Sequence, residues 1–136
     1  MLTLLINTIK LLRINKLMPN DYIISHENGI TKVKFLVQPS LDLAKQIIDE
    51  IVDKYPYDKR LWDISNVKFD FTLTEIQTIA EYGKLKFISP SKIAIFAVDD
   101  LAFGEMRQFG VYREEEGKTL PQVFRNEQDA IDWLNS

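Results

Sequence analysis

Residues 92–109, KIAIFAVDDLAFGEMRQF, contain the pattern that decides the fold. Six apolar residues in a row, Ile93 to Val98, are followed by Asp99 and Asp100 and then by apolar residues at helical spacing. A short unbroken apolar run that ends at a polar break is typical of a strand buried on both faces. A buried strand that leads directly into a helix predicts a parallel sheet with helices packed against it.

Two runs nearer the N-terminus predict an antiparallel hairpin. The first, residues 22–25, follows Pro19, and Asn28-Gly29 separates it from the second, residues 30–37. Asn-Gly is favoured in two-residue hairpin turns because both turn positions need a positive φ. Apolar residues alternate with lysines in the second run, so we expect a strand with one solvated face towards the edge of the sheet.

The middle of the chain alternates between helix and strand. Apolar side chains in residues 44–55 recur every three or four positions, which predicts a helix with Ser40 as its N-cap. Residues 60–64, RLWDI, predict a second buried strand. A capping box at residues 72–75, TLTE, then predicts another helix, with Gly83 at its C-terminal end.

The last part of the chain completes a repeating pattern. Residues 113–118, REEEGK, predict a solvated charged loop, residues 121–125 a last strand, and Asn126 the cap of a closing helix. The order is therefore β-β-α-β-α-β-α-β-α. It predicts one α/β domain, residues 19–136, with about five strands and four helices. The sheet is mixed, with an N-terminal antiparallel hairpin and mostly parallel strands after it.

The composition excludes several kinds of chemistry. The chain has no cysteine, so thiol catalysis, disulfides and thiolate zinc sites are excluded, and we expect a cytoplasmic protein. His26 is the one histidine, which leaves no partner for a shared metal or for a nucleophile–base pair. No phosphate-binding glycine motif is present. We therefore predict no metal and no cofactor. A net charge of −3 without a basic stripe predicts no binding to nucleic acid.

The N-terminal segment, residues 1–18, is apolar but carries Lys10 and Arg13. It is too short and too interrupted to span a bilayer, and it lacks the features of a signal peptide. Three interpretations stay open: an extra helix docked on the core or on a second subunit, a start-site extension before a native Met18, or a membrane-surface anchor. Two cations attract anionic lipid only slightly, so membrane binding is the least favoured of the three.

Four residues are candidates for a ligand or partner site. Asp63 ends one predicted buried strand, and Asp99 and Asp100 follow the other. The carboxyl ends of parallel strands share one edge, where α/β folds usually bind ligands. Arg107, two turns into the next helix, could bind an anion there or pair with a nearby carboxylate. Each residue also has a structural explanation, as a cap, a hydrogen-bond acceptor or an ion pair, so no catalytic residue is predicted.

Three motifs resemble the SpoIIAA-like proteins, also described as STAS/Sec14-like. Residues 99–109, DDLAFGEMRQF, resemble the stretch "dd-l-fG-x-x-R-x-f" of that family. Residues 61–63, LWD, resemble its strand that ends in aspartate, and residues 124–134 resemble its closing signature "vFrd-x-x-eAl-x-WL". The resemblance extends over residues 22–134 and implies an α/β fold with a mostly parallel sheet, similar to anti-anti-sigma factors.

The resemblance also suggests a regulatory site at Thr72. Related domains bind a regulatory kinase and are switched by phosphorylation of a serine or threonine in a "D-S-[ST]-G-L" turn. Residues 70–73, DFTL, are the nearest match, with Thr72 at the phosphorylated position, but Phe71 departs from the pattern and the glycine is absent. Phosphate at a helix N-terminus is physically favourable, so this switch stays an alternative.

Together these observations predict a non-catalytic domain that binds a protein partner or a small apolar or anionic ligand. A homodimer through the N-terminal segment or an edge strand is compatible with the pattern. One alternative is a Sec14-like carrier of lipid or of a small apolar ligand, which would need an apolar cavity between the helices and the sheet. The other alternative is partner switching through Thr72.

Overall fold

A strand hairpin followed by alternating helices and strands makes up residues 21–136, the part of the chain that this computed structural model describes. The strands are β1 (Tyr22–Glu27), β2 (Ile30–Phe35), β3 (Lys59–Asp63), β4 (Ser91–Phe96) and β5 (Thr119–Phe124). The helices are α1 (Leu41–Lys54), α2 (Leu73–Lys86), α3 (Asp100–Arg113) and α4 (Glu127–Leu134). The predicted order of elements is confirmed. The three interpretations of residues 1–18 concern a segment outside the described residues.

The five strands form one sheet in the order β1-β2-β3-β4-β5. β1 and β2 pair antiparallel, and the other three pairs are parallel, as predicted. Asn28 and Gly29 form the hairpin turn with φ values of 53° and 80°, which explains why this dipeptide stands there. Each parallel connection steps to the next strand in the same direction. Crossover connections between parallel strands almost always have the same, right-handed sense. The helices of these three connections therefore all lie on the same face of the sheet.

The sheet separates two hydrophobic cores of unequal size. The larger core lies under α1, α2 and α3 and includes Ile93 and Ile95 of β4. The smaller core lies under α4 and includes Leu61, Ala94 and Leu134. β4 is thus buried on both faces, as its unbroken apolar run predicts. None of the helices in residues 21–136 is long and apolar enough to cross a membrane.

Each helix begins at the N-cap that the sequence predicts. The side chains of Ser40, Thr72, Asp99 and Asn126 each accept a hydrogen bond from a backbone amide three residues later, at 3.1 to 3.2 Å. Thr72 and Glu75 complete the capping box, because the Glu75 carboxylate accepts from the Thr72 amide at 2.9 Å. Such caps stabilise a helix by about 1 kcal/mol each and fix where it starts.

Two predictions about helix ends are wrong, and one contact explains both. Gly83 does not end α2, which continues to Lys86. Arg113 does not lie in a solvated loop, because it is the last residue of α3 and only 1% exposed. A Cβ atom at Gly83 would lie 2.8 Å from Nε of Arg113. Glycine therefore stands at position 83 because it leaves room for a buried guanidinium, not because it terminates the helix.

Candidate functional site

Asp63 lies at the carboxyl end of β3 and holds the chain that follows. It is 2% exposed, and its Oδ1 accepts hydrogen bonds from the amide of Ser65, at 2.9 Å, and from the Ser65 hydroxyl. Nζ of Lys32 lies 3.7 Å from Oδ2 and 2.7 Å from the carboxylate of Glu127 at the start of α4. These contacts connect β2, β3 and α4, so Asp63 has a structural role in the smaller core.

The other three predicted residues do not join Asp63. Oδ2 of Asp99 accepts from the amide of Ala102, and Oδ1 of Asp100 accepts from Nη1 of Arg125 at 2.8 Å. Arg107 is exposed and lines a cleft between α3 and β5. Within residues 21–136, no hydrogen bond or ion pair connects any two of the four candidates. The same residues contain no group of three His, Asp or Glu that could hold a metal ion.

Thr72 is exposed, and its hydroxyl is occupied by the capping box. The surroundings are acidic. Oε1 of Glu105 accepts from the amide of Phe71 at 2.7 Å, and burial raises the pKa of the Glu105 carboxyl, with further contributions from Asp70 and other carboxylates. A phosphate on Thr72 would add negative charge to this group, which opposes the switch. Phosphorylation of Thr72 stays a prediction.

A second set of polar side chains is buried at the amino ends of the parallel strands, the edge opposite to Asp63. It lies on the face of the sheet that α1–α3 cover, and no motif in the sequence predicted it. Its members are Thr31, Arg60, Ser91, Thr119 and Arg113, none more than 9% exposed. The first four stand at or near the start of β2, β3, β4 and β5. We call these five residues the amino-edge cluster. The available signal was Arg60, a charged residue at the start of a buried strand, since arginine is rarely buried fully without a partner.

Arg60 is 3% exposed and has no carboxylate in contact with it among residues 21–136. Its Nη2 donates to the Ser91 hydroxyl at 2.8 Å, and its Nη1 donates to the Tyr57 carbonyl at 3.3 Å. The guanidinium carbon lies 3.8 Å from the centre of the Phe87 ring. Burial, and then the charge of Arg113, lower the pKa of Arg60 to about 9, against an opposing contribution from Asp58. Even so, the side chain keeps its positive charge at neutral pH.

Arg113 is the second buried cation of the cluster. Its Nη1 donates to Oε1 of Glu115 at 3.0 Å, and its guanidinium carbon lies 5.9 Å from the centre of the Phe87 ring. Burial lowers the pKa of Arg113, and Glu115 opposes that shift. In residues 21–136 three buried polar atoms of the cluster have no hydrogen-bond partner: Nε of Arg60, Nη2 of Arg113 and Oγ1 of Thr119.

An apolar cavity of about 60 Å³ lies between the sheet and helices α1–α3. Phe35, Ile48, Trp62, Ile79, Ile95 and Met106 contribute to its walls. Arg113 is the one charged residue among the described residues that line it. Phe87 lines both this cavity and an outer groove of about 160 Å³ that Arg60 also borders. The amino-edge cluster therefore meets the apolar cavity at Phe87 and Arg113.

Comparison with known proteins supports the fold. No protein-family model matches the chain, and no curated protein matches it either. Among solved structures, it is similar to an uncharacterised protein of the DUF3478 family with a SpoIIAA-like fold from Shewanella loihica, with 15% sequence identity and a TM-score of 0.53. The match covers 83% of this chain and 91% of the other. The chain has a SpoIIAA-like fold, which confirms the fold that the motifs predict.

Proposed function

We propose that this chain is a non-catalytic binding module that takes a small apolar ligand into the cavity between the sheet and helices α1–α3. The cavity is the observation that supports the proposal. A void of about 60 Å³ in a core costs roughly 1.5 kcal/mol, because its lining atoms lose contacts that a filled site would make. A ligand of matching shape would recover those contacts.

The size of the cavity favours a small ligand. One water molecule needs roughly 10–15 Å³ by the same measure, so about 60 Å³ corresponds to a group of a few carbon atoms. The walls offer water few hydrogen-bond partners, which favours an apolar occupant. A lipid chain needs more room than this cavity offers. Of the two forms of the Sec14-like alternative, the cavity therefore favours a carrier of a small apolar ligand over a carrier of lipid.

The positions of the acidic candidates support a role without catalysis. Asp63 binds Ser65 and lies near Lys32, and Asp99 caps α3, so both carboxylates stabilise the fold. A general acid or base would need to face a space where a substrate could lie, and neither residue lines the apolar cavity. A protein partner, a homodimer and a cytoplasmic location stay predictions from the sequence.

Xenon, a neutral apolar probe, tests the proposal in the full chain labelled on its isoleucine and methionine methyl groups. We expect saturable shifts of the Ile48, Ile79 and Met106 methyl resonances, which line the cavity. The methyl groups of Ile30 and Ile131 belong to the smaller core and provide the internal control. The proposal is wrong if the cavity resonances do not move, or if both cores respond equally.

A further inference from the structure

We infer that the ligand of the apolar cavity is a small carboxylic acid, whose carboxylate binds Nη2 of Arg113 in the field of Arg60. The inference rests on the proposed function and names the chemical class of its ligand. It places the apolar part of the acid between the sheet and α1–α3, and the charged end at the amino-edge cluster. Charge, hydrogen bonding and shape support it separately.

The first argument is charge. Arg60 and Arg113 are two buried cations near the same Phe87 ring, and one carboxylate, that of Glu115, contacts them among residues 21–136. Asp58 contributes a favourable charge to Arg60 but is exposed. Burying an ion without a counter-charge is costly, so the cluster would be stabilised by one further negative charge.

The second argument is hydrogen bonding. Nη2 of Arg113 and Nε of Arg60 are buried donors with no partner within residues 21–136. Residues 1–20 contain no aspartate or glutamate, so no acidic side chain of that segment can supply the acceptor. A carboxylate suits such donors because its two oxygens match the planar fork of a guanidinium. Charge-assisted bonds of this kind are among the stronger hydrogen bonds in proteins.

The third argument is the position of Arg113. The residue lines a cavity whose other walls are mainly apolar, so a buried guanidinium lies beside a hydrophobic space. A free inorganic anion would leave that space empty, and a neutral apolar molecule would leave the guanidinium donors unpaired. A short acid with a compact alkyl group satisfies both ends, since about 60 Å³ admits a few carbon atoms.

The test compares isovalerate with isovaleramide, which has the same shape but no charge. Each is titrated into the full chain at pH 7 by calorimetry, with the cavity methyl resonances followed in parallel. We expect isovalerate to bind at least about tenfold more tightly, because its carboxylate pairs its charge with the guanidinium, whereas the amide offers only a neutral carbonyl acceptor.

The Arg113→Met variant should remove this preference and leave the two ligands binding about equally. Methionine keeps the apolar stem of the side chain, and the Glu115 carboxylate that loses its partner is partly exposed to solvent, so the variant is expected to fold. If it does not fold, Arg60→Met serves instead, and a severalfold decrease in the preference for the acid is expected. Arg125→Met, which removes an exposed arginine paired with Asp100, is the matched control and should keep the full preference.

The outcomes separate this inference from the proposed function. Equal affinity for acid and amide in the unchanged protein would overturn the inference, although xenon binding would still support the cavity as a ligand site. Inorganic phosphate binding as tightly as isovalerate would also overturn it, because the alkyl group would then contribute nothing. If neither xenon nor either organic ligand enters the cavity, both proposals are wrong.

Discussion

Arg113 shows how one buried side chain constrains its neighbours. Its guanidinium packs over α2 at Gly83 and contacts Glu115, and its Nη2 has no partner among residues 21–136. The same residue also lines the apolar cavity. The Gly83 contact and the Glu115 ion pair both hold the guanidinium in place. Substitutions that crowd it should therefore be more costly than their size suggests.

We predict that Gly83→Ala destabilises the protein by about 1–3 kcal/mol, because the new Cβ would clash with Nε of Arg113. Gly104→Ala is the matched control. Gly104 is an exposed glycine within α3 with nothing within 4 Å of the added atom, so alanine there should stabilise by about 0.5–1 kcal/mol. Urea unfolding measures both changes. Equal effects at the two positions would contradict the packing explanation.

Glu105 gives a prediction about pH. Burial and then neighbouring carboxylates such as Asp70 raise its pKa, against the hydrogen bond from the Phe71 amide, which lowers it. The folded state therefore binds the proton more tightly than the unfolded state, whose reference value is 4.5. This group accordingly destabilises the fold at pH values above its folded pKa, and the penalty disappears as the pH falls towards the unfolded value.

Glu105→Gln should thus be more stable than the unchanged protein at pH 7, since glutamine keeps an acceptor for Phe71 but carries no charge. The gain should shrink when unfolding is measured near pH 4.5, the reference pKa of the group. Urea unfolding curves at the two pH values provide the comparison. A gain that is the same or larger at the lower pH would show that charge is not the cause.

At the scale of the elements, the features that could be predicted from the sequence are those that residues close together in the chain determine. The four caps depend on side chains that reach an amide three residues away, and the Asn28-Gly29 turn depends on two backbone angles. These requirements are visible in the sequence. The end of α2 could not be predicted in this way. Glycine stands at position 83 to make room for Arg113, which lies thirty positions later in the chain.

The same distinction explains the candidate site. The rule that ligands bind at the carboxyl ends of parallel strands drew attention to Asp63, Asp99 and Asp100, and each of these carboxylates also has a structural partner. The amino-edge cluster forms because strand pairing places residues such as Arg60 and Ser91 on neighbouring strands, diagonally across the same face and within hydrogen-bond distance. A charge becomes buried at that edge only when the sheet and the helices pack together. A short stretch of sequence therefore cannot reveal it.

For the whole molecule, the two faces of the sheet should respond differently to the same substitution. Ala44 of α1 lines the apolar cavity, and Ala130 of α4 is fully buried in the smaller core. Ala44→Leu should fill the void and so prevent xenon binding. It should either stabilise the protein or cost less than about 1 kcal/mol in the free energy of unfolding. Ala130→Leu, also within a helix, should destabilise by about 1–3 kcal/mol because it overfills a packed site.

Thermal and urea unfolding of the two variants measure the difference, and methyl spectra under xenon show whether the void is filled. A loss of stability in Ala44→Leu as large as that in Ala130→Leu would mean that the cavity cannot accept added atoms. That result would also weaken the case for a ligand in the cavity.

The strand order β1-β2-β3-β4-β5 has a consequence for synthesis of the chain on the ribosome. Each strand after β1 pairs with the strand made just before it, so a new strand finds its partner already present. The face that carries Leu61 and Ala94 is the exception, because α4, which covers it, follows all five strands in the chain. A nascent chain can thus assemble strand by strand while one face stays exposed to chaperones until α4 has been made.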